Sequence, residues 1–406
     1  MSKVNKKNQI RRNLILRALL DNGQMSLTEL KQKTGITLPV VSNIVESLKK
    51  KNLLVSVKGN GQTQAGRPPS VVKLNGQGGF IIGLDLGRIY TNFILLDLEM
   101  NIVADVTKEF SFLGNDPHIL KKLKDEISSM LSSAKVKWDS VLGMGFSIPG
   151  IVDGPSGISE TYLAFGSTPL RETLKEFFKK PVQIEHDVKA LALGELWFGK
   201  ARNVKNALCL KVDWGLGLGI IIDGKIYYGN QSHAGEFGHI QLIPDGKLCY
   251  CGKIGCLETV ASGRAVNTIV QERLVNNSST LLLKQVHDNL SKIDWKMLIE
   301  TANNGDQFSI EIMEETAKHL GHGIGILINL FSPDKIIVGG GFSRALPHIL
   351  IEPLKISAKK NSLIQLNRNI EFVSSDLDPK AGALGVAMLA AKDLFEVDHL
   401  NPSLYV

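Results

Sequence analysis

Four apolar runs, each interrupted by or ending in glycine, constrain this chain more than any other feature: FIIGLDLGRIYTNFILLDL, VLGMGFSIPGIVDGP, ALCLKVDWGLGLGIIIDGKI and DKIIVGGGFS. Each reads as one or two β-strands closed by a turn. Around them lie stretches with helical periodicity, at 117–133, 168–180, 188–199, 262–275, 309–331, 346–359 and 379–395. Strands alternating with helices, with glycine at the strand ends, predict α/β lobes whose ligands lie in a crevice beyond those ends. At 406 residues the chain exceeds what one core supports, so two or three domains are expected. The glycines have two readings. Gly215, Gly217 and Gly219 alternate along a strand, and Gly339, Gly340 and Gly341 follow one, which fits backbone approach to a phosphate or simple close packing.

Charge separates a head from a body. Residues 1–75 carry 14 Lys and Arg against 3 Asp and Glu, a net +11, whereas the whole chain is +7, so the remainder is −4. A basic head on a mildly acidic body points to polyanion binding, with a solvated basic face as the alternative. In the head, Leu14, Ile15, Ala18 and Leu19 recur at helical spacing before the turn Asp21-Asn22-Gly23. Ser26 and Glu29 have the spacing of a capping box, and Thr34-Gly35 breaks the helix they open. Thr37 then caps a third helix, with Val40, Val41, Ile44, Val45 and Leu48 as its buried side and Lys49-Lys50-Lys51 at its end. Helix, glycine turn and helix have helix-turn-helix spacing, in which Thr37, Pro39, Ser42 and Asn43 face the bases. Runs 53–57 and 71–74 read as strands around GNGQTQAGRPPS, a wing whose Arg67 meets phosphates or the minor groove. The expectation is a winged helix-turn-helix domain at 1–75 that binds double-stranded DNA, then a glycine-rich linker at 76–80. A three-helix protein-interaction bundle is the other reading of the same helices.

No apolar run approaches the roughly 20 residues needed to cross a bilayer. The first residues also lack a signal-type core, so a cytoplasmic chain without membrane insertion is expected. Four cysteines in so long a chain do not form a disulfide framework, and isolated Cys209 reads as a small buried apolar residue. Cys249, Cys251 and Cys256 fall within eight positions and follow His239. One nitrogen and three sulfurs suit tetrahedral zinc at a closed structural site, with Gly252 and Gly255 letting the chain fold tightly round it. A chance cluster of buried cysteines is the alternative. Since four protein ligands fill the coordination sphere, zinc here organises the loop rather than activating water. Glu236 and Glu258 flank this segment. Two carboxylates beside a histidine whose second ring nitrogen is free suit a polyol such as a sugar, unless the glutamates are simply surface residues.

Taken together, these residues resemble the ROK family, which unites sugar-responsive repressors and sugar kinases. Within it the chain is similar to the branch of xylose, N-acetylglucosamine and making-large-colonies repressors. The resemblance runs from the winged head to AGALGVAMLA near the end and is most specific in EFGHIQLIPDGKLCYCGKIGCLE. It implies a two-lobed α/β body of the actin-like ATPase / sugar-kinase type. The lobes are 81–187, with the helix at 379–395 returning to it, and 188–378, which holds the zinc motif. It further implies His239, Cys249, Cys251 and Cys256 as ligands of a structural Zn2+, and Glu236, His239 and Glu258 as sugar contacts. In IEHDVKALALGE, Asp187 matches the general base of the family's kinases, and His186 stands where those kinases usually have asparagine. Both count as sugar-contacting positions. GMGFSIPGIVD is like the family's sugar-side loop.

The nucleotide side departs from the kinase pattern. Asp85-Leu86-Gly87-Arg88-Ile89 replaces Asp-x-Gly-Gly-Thr, and Gly215-Leu216-Gly217 replaces Gly-Thr-Gly. Two hydroxyl donors and one glycine are thereby lost, and Arg88 fills space where backbone amides approach a phosphate. Loss of such donors costs on the order of 100-fold or more each. The expected function is therefore regulatory rather than enzymatic. A homodimer or homotetramer binds operator DNA, represses carbohydrate-utilisation genes and is released by a sugar or sugar phosphate. A ROK-type sugar kinase carrying a DNA-binding head is the alternative class, and a protein effector is a third possibility.

Overall fold

The computed structural model describes residues 3–58, 70–109, 118–274, 280–286 and 292–395, so the expected wing tip with Arg67 lies outside the described residues. Two compact units divide the chain: the described residues up to Asp187 together with 383–395, and Val188–Gly382.

In the first unit, α1 (Lys3–Asn22) ends at Gly23 and leads into the two-residue strand β1 (Met25–Ser26). A complete capping box starts α2 (Leu27–Thr34): the Glu29 amide donates to Ser26 Oγ at 3.2 Å and the Ser26 amide donates to Glu29 Oε2 at 2.7 Å. Gly35, left-handed at φ +69°, stops it. Next come α3 (Leu38–Lys50), β2 (Leu54–Lys58) and β3 (Ser70–Leu74), with β3 pairing antiparallel to both β2 and β1. Three helices and a three-stranded sheet close over Ile15, Leu19, Leu30, Val41, Val45, Leu48 and Leu54, all buried. Two local expectations are corrected. Leu14 is 42% exposed, because Leu16 takes the inward position beside Ile15. Thr37 precedes α3 but makes no side-chain capping bond.

Segment 76–80, expected as a linker, is built in. Asn75 opens a 3-10 turn at Gly76–Gly78, and its Nδ2 donates to the Asn52 carbonyl at 2.8 Å. A Cβ at Gly78 would stand 2.0 Å from that same carbonyl oxygen. Lys73 pairs with Glu99 at 2.9 Å, and Phe80 already belongs to the next strand. Glycine here serves close approach rather than slack.

The rest of the unit is a sheet flanked by helices. Strands β4 (Phe80–Leu86), β5 (Tyr90–Asp97) and β6 (Ile102–Glu109) form an antiparallel meander. The chain continues through α4 (His118–Ser133), β7 (Val141–Ile148), the hairpin β8 (Val152–Asp153) and β9 (Ile158–Ser159), α5 (Leu170–Phe178) and β10 (Val182–His186). Strand order is β10-β7-β4-β5-β6, with β7 parallel to both β4 and β10.

The second unit repeats this plan. After α6 (Asp187–Phe198), strands β11 (Ala207–Val212), β12 (Leu216–Ile222) and β13 (Lys225–Ile226) form a meander. Helices α7 (Glu258–Ala261), α8 (Gly263–Leu274), α9 (Leu281–Gln285), α10 (Trp295–Asn303) and α11 (Gln307–Phe331) precede β14 (Lys335–Gly339). Then come α12 (Ile351–Lys360), α13 (Ile364–Asn367) and β15 (Glu371–Ser374), after which α14 (Ala381–Phe395) belongs to the first unit from Ala383 onward. The order β13-β12-β11-β14-β15, with β11, β14 and β15 parallel, matches the first sheet strand for strand. A duplicated sheet of three antiparallel strands extended by two parallel ones is the body plan expected from the family resemblance.

Helix α14 packs on the first unit's sheet through two glycines. A Cβ on Gly83 would lie 1.9 Å from the Ala383 carbonyl oxygen, and one on Gly145 2.0 Å from that of Val386. Backbone oxygens cannot step aside as flexible side chains do. Gly145→Val is therefore expected to destabilise the first unit by about 3 kcal/mol or more, the upper end for overpacking. Calorimetry reads this as a fall in its melting temperature of roughly 5–10 °C.

Candidate metal centre and ligand site

The loop between β13 and α7 is held between two core anchors. Phe237 and Leu257 are buried in the second unit's core with Leu216 and Leu218, and the segment between them is free to close on itself. It does so as a small knuckle. Leu248 bridges Ile254, Gln241 bridges Cys256, and the Cys249 amide donates to the Lys253 carbonyl at 2.8 Å. Gly255 makes the closure possible: its φ is +77°, and a Cβ there would stand 1.6 Å from the Ile243 carbonyl oxygen.

This knuckle brings His239, Cys249, Cys251 and Cys256 together, with one ligand atom of each within 4.8 Å of all the others. His239 Nδ1 is 3.7 Å from Cys249 Sγ, and Cys251 Sγ is 3.6 Å from Cys256 Sγ. A tetrahedron with arms of about 2.0 to 2.3 Å has edges of roughly 3.3 to 3.8 Å, so the donors fit a metal of zinc's size. Their chemistry fits as well. Burial and the adjoining thiols push Cys256 up to about 12, a shift that a cation among the sulfurs would oppose.

His239 Nε2 and the Tyr250 hydroxyl share a hydrogen bond at 3.2 Å, in which Nε2 would be the donor once Nδ1 ligates a metal. Lys253 Nζ also holds the His239 carbonyl at 2.9 Å. The second ring nitrogen, expected to be available to a ligand, thus meets a protein hydroxyl first. Tyr250 lies between Cys249 and Cys251 in the sequence, is 63% exposed, and has the Arg264 guanidinium over its ring at 5.3 Å.

The two expected sugar carboxylates in this unit differ sharply. Glu236 is exposed at the start of the turn that carries His239. Glu258, at the first position of α7, is only 6% exposed and accepts from the Leu216 amide at 3.3 Å. Burial pushes its carboxyl up, against the Leu216 hydrogen bond and the nearby His239 and Arg264, which favour the charged form. Glu258, Tyr250, Arg264, Lys247, Thr259 and Thr268 line a cavity of about 160 Å³ beside the knuckle. Sequence reasoning missed Tyr250 and Arg264, since only the folded knuckle brings them beside Glu258.

His186 and Asp187 belong to the first unit, at the end of β10 and the start of α6. Their side chains meet, His186 Nε2 lying 3.3 Å from Asp187 Oδ1. Asp85, in the first nucleotide-type loop, is buried and accepts a short hydrogen bond from Ser147 Oγ, while Arg88 at the β4–β5 turn is exposed. In the second such loop, Gly217 and Gly219 are explained by packing against α6. Added Cβ atoms would lie 2.4 Å from Val188 Cγ2 and 2.6 Å from Ala192 Cβ.

In the head, Thr37, Pro39 and Asn43 are exposed and Ser42 is half-buried, all in the first turns of α3. Cys209 is fully buried in β11, as expected of a small apolar residue. Among the described residues, no helix is long and apolar enough to cross a membrane.

Comparison with known proteins places this geometry. The chain is 30% identical over 388 residues to the xylose repressor of Caldicellulosiruptor bescii, covering 95% of this chain and 96% of the relative. Among solved structures it is similar to a ROK family transcriptional regulator described as a homolog of the Escherichia coli MLC protein. That match has a TM-score of 0.80 and 26% identity, and covers 96% of this chain and 97% of the other. It is also similar to a ROK family glucokinase from Streptomyces griseus in complex with glucose and AMPPNP. Here the TM-score is 0.66 and the identity 28%, over 77% of this chain and all (100%) of the kinase. The ROK family profile matches residues 81–393, and on that match and the chain-long relative together this chain belongs to the ROK family.

Proposed function

We propose that this chain is a sugar-responsive, DNA-binding transcriptional repressor whose body senses a sugar or sugar phosphate. The observation that carries this reading is the head. Residues before 81 precede the family match, and the similar glucokinase spans only 77% of the chain, whereas the xylose repressor and the ROK regulator align along nearly all of it. The head therefore presents the exposed start of α3, with Thr37, Pro39, Ser42 and Asn43, to the bases of a double-stranded operator. The residues proposed as effector contacts are His186, Asp187, Glu236, His239 and Glu258. Zn2+ on His239, Cys249, Cys251 and Cys256 is structural, and supplies charge neutralisation and a rigid frame for the His239 ring.

The reading includes a body that does not turn over ATP. It is supported by Arg88 at the β4–β5 turn and by the Leu216 amide, which Glu258 already occupies. One observation favours a kinase instead: Asp187, the match to the family's general base, is retained at the start of α6. A single series of measurements separates the two. Full-length protein is bound to an operator selected from random duplexes and challenged with free and phosphorylated sugars. An effector is expected to weaken operator binding about 5- to 150-fold, the usual range of allosteric coupling. The same sugars with ATP should release no ADP above background. Turnover of roughly 1 to 100 per second would instead establish the kinase.

A further inference from the structure

The end of the first unit's sheet at which the head enters is basic. Phe80 opens β4, Val141 opens β7 beside it and Val182 opens β10 beyond. These three strands run parallel, so the segments leading into them share one end of the sheet. The head is seated there: a Cβ on Gly79 would lie 2.2 Å from Leu142 Cδ1, and Gly78 meets Asn52 just past α3, whose close bears the exposed Lys50 and Lys51. Segments 135–139 and 171–180 flank this end with six Lys and Arg against three Asp and Glu, a net +3 in a body that is acidic as a whole. Glu172 engages Arg171 and Lys175 at 3.9 and 3.4 Å. Lys135, Lys137, Lys179 and Lys180 have no acidic partner among the described residues. Lys180 Nζ sits 5.7 Å over the Trp138 ring and ties the two segments together, and Lys175, Lys179, Lys180 and Gln183 border a hollow of about 520 Å³.

Two of these lysines stand where the backbone favours glycine. Lys135 after α4 and Lys179 after α5 have φ of +56° and +53°. The helix dipoles favour a cation at both places, but Lys137, four residues past α4, lies beyond their reach.

We propose that this face of the body holds the sugar-phosphate backbone of duplex DNA flanking the bases that α3 faces. The inference rests on the repressor reading and gives it a second contact region. Charge selects the occupant: a duplex carries one negative charge per about 1.7 Å of axis, which suits a row of unpaired lysines. Reach agrees, since β4 to β10 is two strand spacings, about 10 Å, or the rise of about three base pairs. Fixed geometry is the third argument. With 76–80 built in between Asn52 and Leu142, the lysine face keeps its position relative to the head.

The test is anisotropy titration of the full-length protein with a selected operator, trimmed to its shortest bound form and then lengthened in steps of about three base pairs of arbitrary sequence. Any cation binds a longer duplex better, so the readout is the difference between variant and wild type. Lys135→Gly/Lys137→Gln/Lys179→Gly/Lys180→Gln is expected to lower the slope of log affinity against log salt on flanked duplex by about 2 to 4 for each chain engaged. The loss of affinity between 50 and 200 mM salt then shrinks by about 10- to 150-fold. On the trimmed duplex the variant should match wild type, and glycine at 135 and 179 should leave the melting temperature unchanged or higher. If the quadruple variant misfolds, Lys137→Gln and Lys179→Gly are read singly, each lowering the slope by about 1. Lys359→Gln/Lys360→Gln, two exposed lysines of the second unit, should behave as wild type on every duplex. Folded variants with the wild-type slope on flanked duplex, or a control that loses as much, overturn the assignment. Trimmed-duplex binding separates the two failures. Protein that binds the trimmed operator but gains nothing from the lysines on flanks refutes the flank contact alone, and protein that ignores every duplex refutes the repressor reading and the flank contact with it.

Discussion

Cys256→Ser protein is expected to purify with almost no bound metal and to lose the ordered knuckle around His239. Cys256 is fully buried and pairs through its backbone with Gln241. A serine hydroxyl there is a poor replacement for a thiolate, and three donors no longer close a tetrahedron. Structural zinc sites in small peptides contribute about 10 to 16 kcal/mol of apparent binding free energy, all of it folding free energy where the site does not pre-exist. Here Phe237 and Leu257 stay anchored in the core, so the loss falls on the segment between them rather than on the whole unit. Proteolytic cleavage within 240–256 and a fall in melting temperature of several degrees are the readouts, with zinc counted by atomic absorption against about one ion per wild-type chain. Cys209→Ala is the matched control: it removes a buried sulfur from β11, costs about 1 kcal/mol and leaves the zinc count unchanged. A Cys256→Ser protein that keeps stoichiometric zinc would rule out this ligand set.

The contrast between those two cysteines shows what the sequence made legible. His239, Cys249, Cys251 and Cys256, which the knuckle brings together, lie within eighteen positions, so residue type and spacing single them out before any fold is known. The same holds for the Ser26–Glu29 capping box, whose hydrogen bonds never leave one helical turn. Glycines were harder to read because what forbids a side chain lies far away along the chain. Gly83 faces Ala383 and Gly217 faces Val188, and neither distance is visible in a local window. The tight fit of the segment at 76–80 is set by Asn52, equally far along the chain. Helix α10 is faint in the sequence although Asp294 caps it by accepting from the Lys296 and Met297 amides. At nine residues its apolar stripe is too short to stand out from periodicity alone. In the ligand site, Tyr250 gains its meaning only from His239 Nε2 and Arg264, which approach it through the folded loop.

Operator affinity is expected to fall by about 10³ to 10⁵ between 50 and 200 mM salt, the range for a protein that makes six to ten phosphate contacts. On the proposed reading, the contacts are expected from the exposed Lys31 and Lys33 in the last turn of α2 and from the basic end of α3. Phosphate contacts and base contacts respond differently, which allows their separation. Lys33→Gln removes one phosphate contact per head, weakening all sequences alike and lowering the slope of log affinity against log salt by about 1 for each head engaged. Asn43→Ala removes an amide from the exposed start of α3, where a bidentate contact to a base is worth about 1–3 kcal/mol of discrimination, roughly 5- to 150-fold. Its salt slope should remain that of wild type, because no counterion is released at a base edge. Thr37, whose hydroxyl makes no capping bond, is proposed to face the bases with Asn43, so Thr37→Val is likewise expected to reduce discrimination between selected and scrambled duplex at an unchanged salt slope. Anisotropy titrations of selected and scrambled duplexes at several salt concentrations give both quantities at once. Salt-independent binding, or an Asn43→Ala protein that still separates selected from scrambled duplex by the wild-type ratio, would remove α3 from the operator.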